Sequence, residues 1–174
     1  MLWHNGKPTN TFGGIKVSDT AGLQPSLHIV NSTFAKNDFA SAVQQVYAID
    51  CDYATNGNLA IVNTLFWNEP GPTGGYTYVN ANCRPAGSTR AVASNEAALT
   101  GVGSVTLPEG TALLVDNTNG DLHLRQDAPM TVTGGGVTSF TDGAGRVVNI
   151  PRVDAENKPR GATSVSIGAF ERAH

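Results

Sequence analysis

Large apolar side chains alternate with smaller or polar ones over short runs of this chain, as in Leu27-His28-Ile29 and Leu59-Ala60-Ile61. A period of two is the mark of a strand with one face turned toward a core. No long stretch sustains apolar residues at i, i+3, i+4 and i+7; Ala91 to Leu99 comes nearest, and Ser94, Asn95 and Glu96 interrupt it. The pattern predicts an all-β chain of many short strands with little helix. The runs also recur. Ser26-Leu27-His28-Ile29-Val30-Asn31-Ser32-Thr33-Phe34 matches Asn58-Leu59-Ala60-Ile61-Val62-Asn63-Thr64-Leu65-Phe66 at an offset of about 32 residues, and Gly14-Ile15-Lys16-Val17 matches Gln45-Val46-Tyr47-Ala48 at nearly the same offset.

A unit of two short strands repeated at this distance reads as one coil of a parallel β-helix. Equivalent residues of successive coils then stack at the ~4.8 Å strand spacing, with Leu27, Ile29 and Phe34 pointing inward and His28 outward to solvent. Asn31 falls on Asn63, where a stacked amide can satisfy the backbone of a bend and bond to its neighbour along the axis. The competing reading is a pair of similar strands in a β-sandwich.

Gly13-Gly14-Ile15-Lys16-Val17, Ile29 to Asn37 and Asn58 to Trp67 are followed by Leu113-Leu114-Val115-Asp116, Asn119-Gly120-Asp121-Leu122-His123-Leu124 and Ile167-Gly168-Ala169-Phe170-Glu171. In this order and spacing they resemble the repeats and closing I-G-A-F-E element of bacterial surface proteins built on right-handed parallel β-helix repeats with a choice-of-anchor Q type C-terminal region. The resemblance spans residues 13 to 171 and is weak from 84 to 110. It implies a pectate-lyase-like architecture of few coils with a C-terminal antiparallel β cap. Asp154-Ala155-Glu156-Asn157-Lys158-Pro159-Arg160 resembles the D-x-x-G-x-x-R turn before the last strand, with Asn157 in place of Gly. Asn also tolerates the left-handed region, so the exchange is cheap. After Ala128-Pro129 the chain departs from the pattern, reading Met130-Thr131-Val132-Thr133 where a carboxylate is expected.

Residues 1–83 are thus expected to form coils, with 84–110 an irregular excursion and the rest of 84–174 a cap region of the same domain. Within the cap, Val137 to Phe140 and Arg146 to Ile150 flank Asp142-Gly143, a strong hairpin signal. Trp3-His4-Asn5-Gly6 looks like the middle of a preceding coil, so the chain reads as a fragment. Its N-terminal coil is expected to be uncapped and prone to self-association.

Composition narrows the function classes. The 174 residues, 18.1 kDa, suit one domain. Only 14% are charged and the net charge is −3, which leaves no electrostatic footprint for nucleic acid. No apolar run approaches the ~18 residues of a membrane span. No secretory signal opens the chain. Cys51 and Cys83 lack metal or redox spacing, but they are separated by the same distance as Asn31 and Asn63. If the period holds they meet on adjacent coils, within reach of a disulfide; if Gly71 to Gly75 shift the register, two free thiols remain.

Chemistry is sparse. Asp50 and Asp52 lie at i and i+2 of a strand, roughly 7 Å apart, a spacing compatible with paired carboxylates of a glycoside hydrolase and common by chance. Asp116 to Asp121 departs from a calcium loop in its Gly position and reads as a polar turn. A lyase needs a cationic groove, and before Arg84 only Lys7, Lys16 and Lys36 carry positive charge. His4, His28, His123 and His174 have no metal spacing, and no nucleotide or nucleophile-elbow motif occurs. Trp67, Tyr76 and Tyr78 are the candidate glycan-stacking residues, against the alternative that Trp67 covers the coil edge. The expectation is an extracellular or cell-surface protein with a structural or adhesive role, binding a polysaccharide or cell-surface glycan. Neither cofactor nor metal is expected, and no catalytic residues are identified. The alternative is the C-terminal part of a polysaccharide lyase or glycoside hydrolase whose catalytic coils lie upstream.

Overall fold

The computed structural model describes residues 1–3, 12–18, 27–35, 47–52, 59–67, 78–83, 93–94, 103–108 and 110–171. Its first seven strands are β1 (Leu2–Trp3), β2 (Phe12–Val17), β3 (Leu27–Val30), β4 (Thr33–Ala35), β5 (Tyr47–Cys51), β6 (Leu59–Val62) and β7 (Leu65–Trp67). All pair in parallel. In β3 and β6, Leu27 faces Leu59, His28 faces Ala60, Ile29 faces Ile61 and Val30 faces Val62. In β4 and β7, Phe34 faces Phe66 and Ala35 faces Trp67, and β1 continues this sheet with Leu2 opposite Phe34. The sheet extends on its other side through β8 (Ala93–Ser94) and β9 (Val105–Thr106), again in parallel. The segment expected to be an irregular excursion therefore contributes two strands.

The register of β2 differs from the sequence match. Gly14 to Val17 align in sequence with Gln45 to Ala48, yet Ile15 pairs with Ile49, Lys16 with Asp50 and Val17 with Cys51. Within the pair the register shifts once, between Phe12, which faces Tyr47, and Ile15. The observed register turns Ile15, Val17, Ile49 and Cys51 into one core. A one-residue slip would have placed Lys16 or Asp50 there, and side-chain parity forbids it.

That core is enclosed by the inner faces of all three strand pairs. Leu27, Ile29, Leu59 and Ile61 come from β3 and β6, and Phe34 and Phe66 from β4 and β7. Phe34 and Phe66 stack at 5.0 Å between ring centroids, and Tyr78 continues the row at 5.4 Å from Phe66. Offset aromatic contacts of this kind add about 0.5–1.5 kcal/mol each beyond burial.

The remaining elements are β10 (Leu114–Asp116), β11 (Asp121–Leu124), a single helical turn α1 (Met130–Thr133), β12 (Ser139–Thr141) and β13 (Val147–Asn149). β10 pairs antiparallel with β11, and β12 with β13. These pieces lie on the flanks of the parallel strands. Phe140 and Ile150 pack on Ala60 and Val62, on the outer face of β6. Leu113, Leu114, Leu122, Leu124, Val132 and Ile167 pack on Ala35, Leu65 and Trp67, on the outer face of β4 and β7. This is why β6 and β7 are buried on both faces. It also corrects the expectation for His28. The ring lies on the outer face of β3, as alternation requires, but Phe140 meets it edge-on at 5.4 Å and Asp142 approaches Nε2 at 3.5 Å.

Two asparagines fix how flank and strands meet. Asn31 and Asn63 both adopt left-handed φ of 47° at the bends after β3 and β6. The Asn63 amide donates to Asn31 Oδ1 at 3.2 Å and to the Val137 carbonyl at 2.8 Å, while its Oδ1 accepts the Val137 N–H at 2.8 Å. The Gly168 N–H donates to the Asn63 carbonyl at 2.8 Å and the Ala169 N–H to Thr33 Oγ1 at 2.9 Å. Gly168 has φ of 116°, and a Cβ there would stand 2.9 Å from Thr33 Oγ1, so glycine is required on both counts.

The two closing turns of the flank are built alike. Asp142 Oδ1 accepts the N–H groups of Ala144 and Arg146, and Asp154 Oδ1 those of Glu156 and Lys158. The fourth residue of each is left-handed, Gly145 at 78° and Asn157 at 64°. Among the described residues no helix is long and apolar enough to cross a membrane.

Asn63→Ala is expected to lower the unfolding free energy by about 3 kcal/mol, because it strands the Val137 N–H and forces Ala into the left-handed region. Asn63→Gly should recover roughly 1 kcal/mol of this by removing the backbone strain alone. Urea unfolding of the two variants separates the contributions, and equal stabilities would show that the amide carries the whole effect.

Candidate functional site

Two strand pairs have their outer faces covered by the flank; the outer face of β2 and β5 carries polar side chains instead. Alternation puts Lys16 and Ser18 on one strand and Asp50 and Asp52 on the next, opposite in direction to Ile15, Val17, Ile49 and Cys51. A further rung follows, since Val79 bridges to Ile49 in parallel and brings Asn80 and Asn82 alongside. Asp52 accepts from Lys16 Nζ at 2.9 Å and from Ser18 Oγ at 2.8 Å. Asp50 accepts from Asn80 Nδ2 at 2.7 Å, and Asn80 Oδ1 from the Asn82 N–H at 2.8 Å. The result is a strip of carboxylate, ammonium, hydroxyl and amide groups crossing three stacked rungs.

The strip is charged in a fixed way. The hydrogen bond from Lys16, aided by Ser18, holds the Asp52 carboxyl below its ordinary range, and Asp52 in turn raises Lys16. A glycosidase pair needs one carboxylic acid that keeps its proton near neutrality. Asp52 is unsuited to that role, because its surroundings favour the anion.

Behind the strip, Cys51 and Cys83 form a disulfide with Cα atoms 5.1 Å apart. Cys83 lies at the end of a short 3-10 turn, Ala81–Cys83, which starts from Asn80. The bridge joins two successive rungs directly beneath Asp50 and Asp52, so the backbone that presents these carboxylates is covalently braced.

The aromatic residues expected to stack on sugars are placed otherwise. Trp67 is 0% exposed, covered on the outer side of β7 by the flank, and Tyr78 is 2% exposed in the row with Phe66. Neither ring face is open to a ligand in this fold, and Tyr76 lies outside the described residues, as do His4 and His174. Neither carboxylate of the Asp116 to Asp121 turn points at a vacant centre: Asp116 binds the Asn119 N–H and side-chain amide, and Asp121 binds His123 at 2.6 Å. Among the described residues no group of three His, Cys, Asp or Glu side chains could hold a metal ion.

Sequence reasoning passed over Arg160. Its guanidinium is fully buried and donates to the carbonyls of Val153, Ser166, Gly168 and Ala169 and to Glu171 at 2.9 to 3.1 Å. All five N–H donors are thereby used. Only its place in the D-x-x-G-x-x-R turn hinted at this, since a single Arg shows no periodicity. Comparisons of the chain with family models, with curated proteins and with solved structures return no match.

Replacing Cys51 and Cys83 together by Ala should lower stability by roughly 3 to 4 kcal/mol for a loop of this length, whereas Lys16→Ala should leave the melting temperature almost unmoved. Thermal melts with and without reductant test both, and a melt of the parent insensitive to reductant would count against a stabilising bridge.

Proposed function

We propose that the chain is a short right-handed parallel β-helix with a structural or adhesive role at an extracellular surface, and that it contacts glycans through the polar strip on β2 and β5. Parallel strands paired in register across successive repeats support the architecture, and the near-universal right-handedness of parallel crossovers supports the hand. The order of the motifs from Gly13 to Glu171, which resembles choice-of-anchor Q surface proteins, agrees with both.

The observation that carries the functional reading is the braced strip itself. Carboxylate and amide groups repeated from rung to rung offer matched acceptors and donors to the hydroxyl groups of a chain of sugars, and a rigid backbone reduces the ordering cost of binding. The disulfide supports an oxidising compartment, because such bridges are rare in the reducing cytosol. The low charge and net −3 suit a neutral ligand better than a polyanion.

Glycan-array binding by protein made in an oxidising compartment is the test. The parent should bind at least one class of glycan, and Asp50→Ala and Asn82→Ala should weaken that binding about tenfold without altering the circular dichroism spectrum, in line with the loss of one or two hydrogen bonds. A parent that binds no glycan would refute the adhesive reading. Release of reducing ends from a polysaccharide by the same preparation would favour the carbohydrate-active enzyme instead.

A further inference from the structure

We propose that His123 is a pH-operated clasp: protonated, it ties the β10–β11 hairpin to the closing turn at 154–158, and neutral, it lets go of one of them. The geometry is that of a base held between two acids from different elements. On its own strand, Asp121 Oδ1 lies 2.6 Å from Nδ1. From the closing turn, Glu156 Oε2 lies 3.2 Å from the buried Nε2. Phe170, three residues beyond Ile167, closes the third side with its ring centroid 4.7 Å away.

A neutral imidazole carries one proton. If Nδ1 keeps it for Asp121, the lone pair of Nε2 faces the Glu156 carboxylate and repels it; with the other tautomer the conflict moves to Asp121. Only the imidazolium satisfies both oxygens at once. The other charges around the ring belong to the same two elements. Asp116 lies near Asp121 across the hairpin, Lys158 binds Glu156 Oε2 at 2.8 Å, and Asp154 adds its charge beside Lys158. Because Lys158 already neutralises part of Glu156, the turn keeps a partner when the ring is neutral and loosens without unfolding.

Burial of the ring opposes its positive charge, but Asp121 and Glu156 together outweigh this and raise the pKa above the ordinary value. The sign follows from linkage. A group whose pKa is raised by folding contributes its full stability below the unfolded value of about 6.5 and loses it as pH rises through the higher folded value. The carboxylates Asp121 and Glu156 are held below their ordinary range, so they remain anionic through this window. The clasp is closed in mild acid and opens toward alkaline pH.

Hydrogen exchange of the whole chain, corrected for intrinsic chemistry, reads the clasp at the amides of Glu156, Asn157 and Lys158. Their protection should be several-fold greater at pH 6 than at pH 8, and His123→Gln should abolish the difference. The His123 ring resonances should titrate above the free histidine, and Glu156→Gln, a partly exposed site that leaves the fold in place, should move that titration down. His28, which faces Asp142 in a different seam, is separated by repeating the measurement in His28→Gln. Equal protection at both pH values in the parent, or a pH dependence that survives His123→Gln, overturns the clasp. Should His123→Gln fail to fold, a ring titration unchanged by Glu156→Gln does the same.

Discussion

The fold depends on the bend that Asn31 and Asn63 make possible. A chain that leaves β3 must enter β4 after only two residues, and a left-handed residue is what turns it so abruptly. Glycine could adopt that backbone, but it would bring no amide. Asparagine accepts the conformation and also completes the hydrogen bonding around the bend. On Asn63 the amide reads the Val137 backbone as a neighbouring strand would, donating to its carbonyl and accepting its N–H. The parallel strands and the flank are therefore registered at one residue, and the Gly168 N–H on the Asn63 carbonyl repeats the registration from the other flank segment.

From this attachment the distribution of charge follows. The flank covers two outer faces, so β6 and β7 carry no charged residue and bury Leu59 to Trp67 without interruption. Among the described residues of the three strand pairs, the outer face of β2 and β5 is the one that carries Lys16 and Asp50, with Asp52 just past the end of β5. A chain with so few charged residues can fold this way because its polar demand is met by Asn, Thr and Ser, whose short side chains bond to backbone at bends, as Thr64 Oγ1 does to the Val62 carbonyl at 3.0 Å.

Local features were legible in the sequence, and features set by distant packing were not. The offset between Leu27 and Leu59, the stacking of Asn31 on Asn63, the hairpin around Asp142-Gly143 and the left-handed Asn157 all arise from neighbours in sequence or from a regular repeat, and each has a residue signature. The meeting of Cys51 and Cys83 depended on whether the period survived Gly71 to Gly75, a question that spacing alone left open. The pairing of β2 with β5 was misread because the apolar similarity of Ile15 and Val17 to Val46 and Ala48 suggested a match, while burial is what selects register. Trp67, Tyr78 and His28 were read as outward or exposed because alternation tells which side of a strand a residue occupies and is silent about what lies on that side. For His28 the covering residues come from more than a hundred positions later in the chain.

The flank is secured by two kinds of positive charge, and the difference between them is chemical. Burial pushes the Arg160 guanidinium below its ordinary pKa against the pull of Glu171 and Asp154, but its five donors are saturated by four carbonyls and Glu171, so this fastening does not hinge on the charge of an imidazole. An unpaired charge at such depth would be prohibitive, and the carbonyls of Val153, Ser166, Gly168 and Ala169 converge on it for that reason. His123 sits where the same closing turn meets β11, with part of its ring in solvent and a carboxylate on each side. An arginine there would make the seam permanent, and a glutamine would make it indifferent to protons. Histidine is the residue whose charge state answers to the surroundings, and its position on the outer seam, with Arg160 on the inner one, lets the turn respond without endangering the attachment beneath it.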